Sequence, residues 1–281
     1  MTIIRIILFT FSLSVLVSCH SNGQEVKVMT YNIRLDVESD AQDAWPFRKD
    51  FLISQIQFYE PDFLGVQEAR PNQMTDMSEK LHKYNYIGHG RDGGAKGEYS
   101  AIFYNKNKYQ VLDQATFWLS NTPDTLSMGW DAAYPRICTY GLFKNKESGK
   151  MLWVVNTHLD HVGKEAQMQG INLILSKLKT LNTKDYPIVL MGDFNVEPDS
   201  HLIANLSKSM SDTESIAKVK LSQEGTFNGF QMDEPVSRVI DYIFISKSQN
   251  VLVHKYAILS ANRNLRYPSD HFPVFVELEL R

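Results

Sequence analysis

The residues able to do chemistry stand at the ends of short apolar runs. Asn32 follows the run 26–31, and Glu68 follows the run 63–66. His158 and Asp160 come directly after Val154-Val155-Asn156-Thr157. Asp193 and Asn195 sit in Gly192-Asp193-Phe194-Asn195, behind the run 187–191. Asp241 lies within 239–245, and Asp270-His271 precedes the last apolar run, 273–280. This set suits phosphoester hydrolysis. A hard divalent cation takes oxygen ligands, which Glu68, Asp270 and the amide of Asn32 can supply. Such a cation polarises a phosphoryl oxygen and offsets charge in the transition state. A histidine can take a proton from water, and His271 has Asp241 to orient it. Asp193 and Asn195 could position the attacking water or hold a second metal, and His158 could hydrogen-bond a phosphate oxygen. Each signal alone has an ordinary reading. An Asp-His pair can be a surface pair, Gly-Asp-Phe-Asn can be only a turn, and Asp241 can be a satisfied buried carboxylate.

The elements that must position these residues follow from periodicity. Helices are expected over 46–59, with Pro46 in the first turn, over 72–82, and over 164–181 with Ile171, Leu175 and Leu178 on one face. Strands are expected over 26–31, 63–66, 99–104, 108–118, 137–144, 151–156, 187–191, 240–245, 250–259 and 273–280. The strands 99–104 and 108–118 read as a pair turned at Asn105-Lys106-Asn107. The strands 137–144 and 151–156 read as a hairpin turned at Glu147-Ser148-Gly149. Many strands with few helices argue for two packed sheets. Periodicity by itself supports only a mixed α and β protein.

The 281 residues carry 29 basic and 32 acidic side chains, a formal net charge of −3. No linker, repeat or low-complexity tract divides them. The N-terminus reads as a leader: Arg5, an apolar run 6–17 too short for a comfortable span, then Leu16-Val17-Ser18-Cys19. This resembles a bacterial lipobox. Residues 1–18 are then a signal peptide, 19–25 a lipidated Cys19 with its tether, and 26–281 one catalytic domain. Export to the cell envelope and membrane attachment through Cys19 are expected. Cys138 is left without a disulfide partner and reads as a buried filler. A monomer is expected.

Taken in order, Thr-Tyr-Asn32-Ile-Arg, Val-Gln-Glu68, Asn-Thr-His158-Leu-Asp-His, Gly-Asp193-Phe-Asn195, Ile-Asp241-Tyr-Ile-Phe and Ser-Asp270-His271-Phe-Pro-Val resemble the motifs of the endonuclease/exonuclease/phosphatase superfamily across residues 26–279. The resemblance implies a DNase I-like α/β fold, a four-layer αββα sandwich of two mostly antiparallel sheets. It implies Mg²⁺ or Mn²⁺ as cofactor and hydrolysis of phosphoesters. It makes His271 the general base paired with Asp241, and Glu68 the main metal ligand with Asn32 and Asp270 nearby. Asp193 and Asn195 would orient the nucleophile or leaving group, and His158 would bind the scissile phosphate. Glu98 resembles the acid that supports this second histidine, and Tyr104 is a further candidate to reach the phosphate.

Substrate choice stays open on sequence alone. Arg34, the loop 90–97 with Arg91 and Lys96, the segment 129–136 ending in Arg136, and Arg238 could each read an anion, or could be ordinary loop and surface features. The segment 121–136 resembles a bacterial branch related to deadenylase- and nocturnin-like members. Nucleic acid, phosphorylated sugars or inositols, and phospholipid head groups are the substrate classes to weigh. The acidic balance and the lack of a basic aromatic stripe argue against tight duplex binding. A catalytically silent envelope ligand-binding lipoprotein on the same fold is the alternative from another class.

Overall fold

A computed structural model describes residues 23–222, 224–247 and 250–281. The leader and Cys19 lie outside the described residues. In chain order the elements are β1 (Gln24–Asn32), a 3-10 helix (Glu38–Asp43), α1 (Trp45–Tyr59), β2 (Phe63–Ala69), α2 (Pro71–Lys80), β3 (Tyr84–Ile87), β4 (Tyr99–Asn105) and β5 (Tyr109–Trp118). There follow β6 (Ile137–Asn145), β7 (Met151–His158), α3 (Lys164–Leu181), β8 (Ile188–Asp193), α4 (His201–Leu206), β9 (Met210–Asp212), α5 (Thr213–Ile216), β10 (Val219–Leu221), β11 (Asp241–Ser246), β12 (Val251–Ile258) and β13 (Val274–Leu280).

The strands form a seven-stranded sheet, ordered β10-β12-β13-β1-β2-β4-β3, and a six-stranded sheet, ordered β5-β6-β7-β8-β11-β9. Most neighbours are antiparallel; β1–β2, β7–β8 and β10–β12 are parallel. Three apolar layers hold the stack together. Val28, Phe63 and Ile102 of the first sheet meet Phe143, Val154 and Met191 of the second between the sheets. Leu52, Ile53 and Ile56 of α1 and Met74 and Met77 of α2 cover the outer face of the first sheet. Ile171, Ile174 and Leu178 of α3, with Leu202 and Leu206 of α4, cover the second. The result is the four-layer αββα sandwich. The parallel strands β7 and β8 are apolar almost throughout because both their faces are covered. Helix α1 stops where Pro61 disfavours helical backbone in the residue before it, and Glu60 turns left-handed at φ 46.

One expected pairing is corrected. β4 and β5 lie in different sheets: β4 pairs with β2 and β3, and β5 with β6. The short β3, which has no clear signal of its own, occupies the edge of β4 with Tyr86 opposite Phe103. The turn after β4, where the Asn105 side chain accepts from the Asn107 amide at 3.0 Å, hands the chain across the sandwich. The hairpin of β6 and β7 stands as expected.

Candidate active site

Strand register assembles the site. On adjoining strands of the second sheet, His158 of β7 is opposite Asp193 of β8, and Asp193 is opposite Asp241 of β11. Directly opposed residues share a face, so three functional side chains form one row at the sheet's end. In the first sheet β1 and β2 run parallel, with Asn32 beside Gln67 and Glu68 next in the chain. The turn before β13 brings Asp270-His271 to the same rim.

A segment that the sequence reading overlooked fastens this rim. Thr226 Oγ1 accepts from the amides of Ile240 at 3.0 Å and Asp241 at 3.2 Å. The Thr226 carbonyl accepts from the Phe272 amide, and the Asn228 and Gly229 amides both donate to the Asp270 carbonyl. Thr226–Gly229 thus ties Asp241 to the Asp270-His271 turn. Phe227 adds an edge-on contact to the His271 ring at 5.1 Å between centroids. The signal was Gly-Thr-Phe-Asn-Gly, a turn composition that carries no titratable group and so reads as loop.

The polar geometry is dense. His271 Nδ1 is 2.9 Å from Asp241 Oδ2, and both residues are buried. His271 Nε2 is 3.9 Å from Asp193 Oδ2. Asp193 Oδ2 accepts from Asn32 Nδ2 at 3.0 Å, and Asp193 Oδ1 accepts from the Asn195 amide at 2.9 Å. Asn32 Nδ2 also donates to Glu68 Oε1 at 3.1 Å, while Glu68 Oε2 accepts from the Leu35 amide. The Asn195 side chain donates to the Leu159 carbonyl at 3.1 Å and stands 3.0 Å from His158 Nε2. Arg34, Glu68 and Asn195 all have positive φ, at 53°, 62° and 53°. Each of the three holds a left-handed backbone beside the site, a conformation that costs energy and fixes the direction of its side chain.

The two histidines are pushed in opposite directions. Burial alone would lower His271, but the Asp241 charge and hydrogen bond, with Asp193 and Asp270, raise it to about 10. Burial lowers His158 well below the ordinary histidine value, and the positive charges of Arg136 and His271 add to that. Near neutral pH His271 therefore holds a proton and His158 does not. Asp193 is raised to about 7, chiefly by burial and then by the Asp241 charge. Asp270 is raised by burial and by the charge of Glu68, against the pull of His271, Arg34 and Arg48. Such divergence fixes which ring of the cation-free site carries the proton.

Donor chemistry decides where a cation fits. Asp193, Asp241 and His271 each offer an atom within 4.8 Å of the others, so this buried group could hold a metal. However, His271 Nδ1 and Asp241 Oδ2 already satisfy each other, and of the two Asp241 oxygens Oδ1 is buried without a partner among the described residues. Glu68 and Asp270 offer oxygen donors alone, with Glu68 oriented by the Asn32 side chain and the Leu35 amide. Their charges oppose each other, and Arg34 Nη1, 3.7 Å from Asp270 Oδ2, is a partial counter-ion. An oxygen-only set of this kind fits a hard divalent cation.

Around this centre lies a cavity of about 610 Å³ that Arg34, Arg70, Arg91, Arg136 and Arg238 line together with Glu68, His158, Asp193, Asn195, Asp270 and His271. Arg136 is buried, held by Asp160 at 3.2 Å and by His161 Nδ1 at 3.0 Å. Arg34 is clamped by Asp40 through two bonds of 2.9 Å. Arg238 lies over the Phe227 ring and reaches Glu197 at 3.4 Å. Two expectations are corrected. Glu98 lines the cavity, but its carboxylate is held by Arg91 at 2.7 and 2.9 Å instead of supporting His158. Tyr104 is at the wrong end: it pairs with Phe63, at the start of β2, and packs on Phe143. Five residues of strand, about 17 Å, separate that end from Glu68. Antiparallel pairing reverses β4, so its first residues, not its last, approach the rim.

A four-layer sandwich whose rim gathers a His-Asp pair, carboxylates and an arginine-lined cavity is built for phosphoester chemistry. The chain belongs to the endonuclease/exonuclease/phosphatase family, whose model matches residues 29–271. An endonuclease/exonuclease/phosphatase family protein from Bacteroides thetaiotaomicron is 38% identical, with a TM-score of 0.88, over 92% of this chain and 99% of that one. A mannosyl-6-phosphatase of the same organism is 40% identical, with a TM-score of 0.85, over 90% of this chain and 99% of that one. Nocturnin of Mus musculus is 22% identical over 295 residues, covering 90% of this chain and 65% of nocturnin. Members of the family are hydrolases with nuclease or phosphatase activity.

Proposed function

We propose that the protein is a divalent-metal-dependent hydrolase of small phosphate esters, with a phosphorylated sugar as the preferred substrate class. The observation that carries this reading is the shape and charge of the site. Catalytic groups open into a surface cavity of about 610 Å³, with Arg34, Arg70, Arg91, Arg136 and Arg238 around it. That volume suits a small molecule, and the guanidinium groups of Arg34 and Arg136, held by Asp40 and Asp160, suit phosphate oxygens. The similarity to a mannosyl-6-phosphatase over nearly its whole length supports the sugar-phosphate class.

The chain's residues divide the work. A water held between Asp193 Oδ2 and His271 Nε2, which stand 3.9 Å apart, would be aimed at phosphorus and give one proton to His271; as its oxygen bonds to phosphorus the bond from phosphorus to the ester oxygen breaks, and that oxygen leaves as the alcohol with a proton from solvent. Asp241 holds the ring by Nδ1, which leaves Nε2 to face the water, and stabilises the charge that the ring gains. His158, kept neutral, and Asn195 sit against the phosphoryl oxygens, with Arg136 preset by Asp160 behind them. A divalent cation at Glu68, Asp270 and Asn32 would neutralise charge on the phosphoryl group and lower the proton affinity of His271. Export and attachment through Cys19 belong to the same proposal, supported by Arg5, the apolar run 6–17 and Leu16-Val17-Ser18-Cys19.

The test is a panel of mannose 6-phosphate, other sugar and inositol phosphates, single- and double-stranded DNA, RNA and sphingomyelin, with Mg²⁺, Mn²⁺ or chelator. Metal-dependent turnover of sugar phosphates, absent in His271→Ala, is expected. Turnover of nucleic acid with no release of phosphate from sugars would sink the substrate reading, and equal turnover under chelator would sink the metal reading.

A further inference from the structure

Strand β1 joins two places that lie at opposite ends of the sandwich. It starts at Gln24, five residues after Cys19, and ends at Asn32 in the catalytic rim. The starting end is built into the base: Gln24 Nε2 donates to the Tyr109 hydroxyl at 2.9 Å, and Gln24 Oε1 accepts from Ser148. The eight steps from Gln24 to Asn32 span about 27 Å of strand. The five steps from Cys19 to Gln24 reach at most about 18 Å even when fully extended. If the rim were pressed to a membrane, Gln24 would stand about 27 Å above it, beyond that reach.

Charge is divided along the same axis. Loops at the rim carry arginine: Arg34 after β1, Arg70 after β2, Arg136 before β6 and Arg238 before β11. Loops at the base carry exposed lysine: Lys83 before β3, Lys106 after β4, Lys108 before β5, Lys146 after β6, Lys184 before β8 and Lys247 after β11. The exposed carboxylates there are fewer, Glu25, Glu60, Glu147 and Asp185 among them, and Glu60 is paired with Lys83. Lys108 is held by the buried Asp62 and Lys146 by the Lys106 carbonyl, while Lys106, Lys184 and Lys247 have no carboxylate partner among the ion pairs of the described residues. Exposed ammonium groups interspersed around a tether suit anionic head groups.

The geometry points to the lysine-bearing base as the surface that faces the membrane carrying Cys19, with the catalytic mouth opening away from it onto soluble phosphate esters. This rests on the lipobox reading of Cys19, and it deepens the proposed function by removing head groups of the protein's own bilayer from its substrates.

The experiment uses the full lipidated chain in vesicles of phosphatidylcholine and phosphatidylglycerol that contain a lipid-borne fluorescence quencher. A thiol-reactive fluorophore is placed at Asn107→Cys in the base or at Asn264→Cys in the rim loop; Cys138 is buried and does not compete. Several-fold stronger quenching at position 107 than at 264 is expected, together with mannose 6-phosphate turnover equal in vesicles and detergent, and no phosphate release from phosphatidic acid in the same vesicles. Equal or stronger quenching at 264, or hydrolysis of that phosphatidic acid, overturns the inference. A wild-type chain that leaves the vesicles as readily as Cys19→Ala overturns it through the anchor. The quenching pattern without sugar-phosphate turnover supports the orientation and counts only against the proposed substrate.

Discussion

At the scale of single residues, the site depends on proton affinities set by burial and neighbouring charge. His271 is raised to about 10 in the cation-free protein, with Asp241 the largest raising influence. A raised histidine contributes stability that is complete below its unfolded value near 6.5 and is lost as pH rises through the folded value. We therefore expect the cation-free protein to lose stability between about pH 6.5 and 10. NMR titration of the ring should give a midpoint well above that of an ordinary histidine. Asp241→Asn should bring the midpoint down and remove that part of the pH dependence; an unchanged midpoint would refute the assignment. With the cation supplied, His271→Ala should lower kcat about 10²- to 10⁴-fold, the range of a lost general base. The opposite sign belongs to Asp160. Burial opposes its ionisation, but backbone amides of Gly163, Val162 and Ala133, with Arg136, hold it down at about 2. Its stabilisation should be present above about pH 4 and fade as pH falls through 2. Asp160→Asn should flatten the acid limb of an unfolding curve, and should raise KM if Arg136 holds substrate.

At the scale of elements, the legible part of the site is the part that carries charge. Glu68, Asp193, Asp241, Asp270 and both histidines could be read from residue type and from their place after apolar runs, because each strand delivers one of them to the rim. What stayed hidden depends on pairing. Tyr104 was misplaced because a period of two gives the faces of a strand but not its direction in the sheet. β4 and β5 were wrongly joined because the partner of β4, the four-residue β3, is defined by tertiary contacts. Glu98 was matched to the wrong partner because Arg91 comes close only when the loop before β4 closes. Thr226 was missed because a hydroxyl that caps two amides has no signature in isolation. It is nevertheless fully buried and bonds the Ile240 and Asp241 amides. Thr226→Val should leave both without that partner and cost about 1–3 kcal/mol, read by denaturant unfolding, while Thr226→Ser should restore most of it. Gly192 has a backbone reason: its φ is 146°, and a Cβ would lie 1.9 Å from the Thr157 carbonyl oxygen. Gly192→Ala should force β7 and β8 apart at the row of His158 and Asp193, lowering activity and thermal stability together.

At the scale of the whole molecule, the two sheets are held apart by their apolar layers but meet at the rim through charge. Glu68 and Asp193 belong to different sheets, and Asn32 donates to both carboxylates. With Asp270 and Asp241 close behind, this is a concentration of negative charge that Arg34 and His271 only partly offset. A cation bound there would act as a fastener between the sheets, and anything that binds the folded state alone stabilises it by mass action. At a hundred times its dissociation constant, Mg²⁺ should add about 2.7 kcal/mol, which for a domain of this size is a rise of roughly 5–10 °C in Tm. Calorimetry of the protein with chelator and with Mg²⁺ reads this directly. Glu68→Gln should remove most of the rise while largely preserving the fold, because the one amide oxygen still accepts from either Asn32 or the Leu35 amide, the other contact is lost, and the side chain no longer offers charge. His271→Ala should keep the rise, or enlarge it, because it removes a competing positive charge. Were Glu68→Gln to keep the whole rise while Asp241→Asn abolished it, the cation would belong to Asp193, Asp241 and His271, and the base would have to be sought elsewhere.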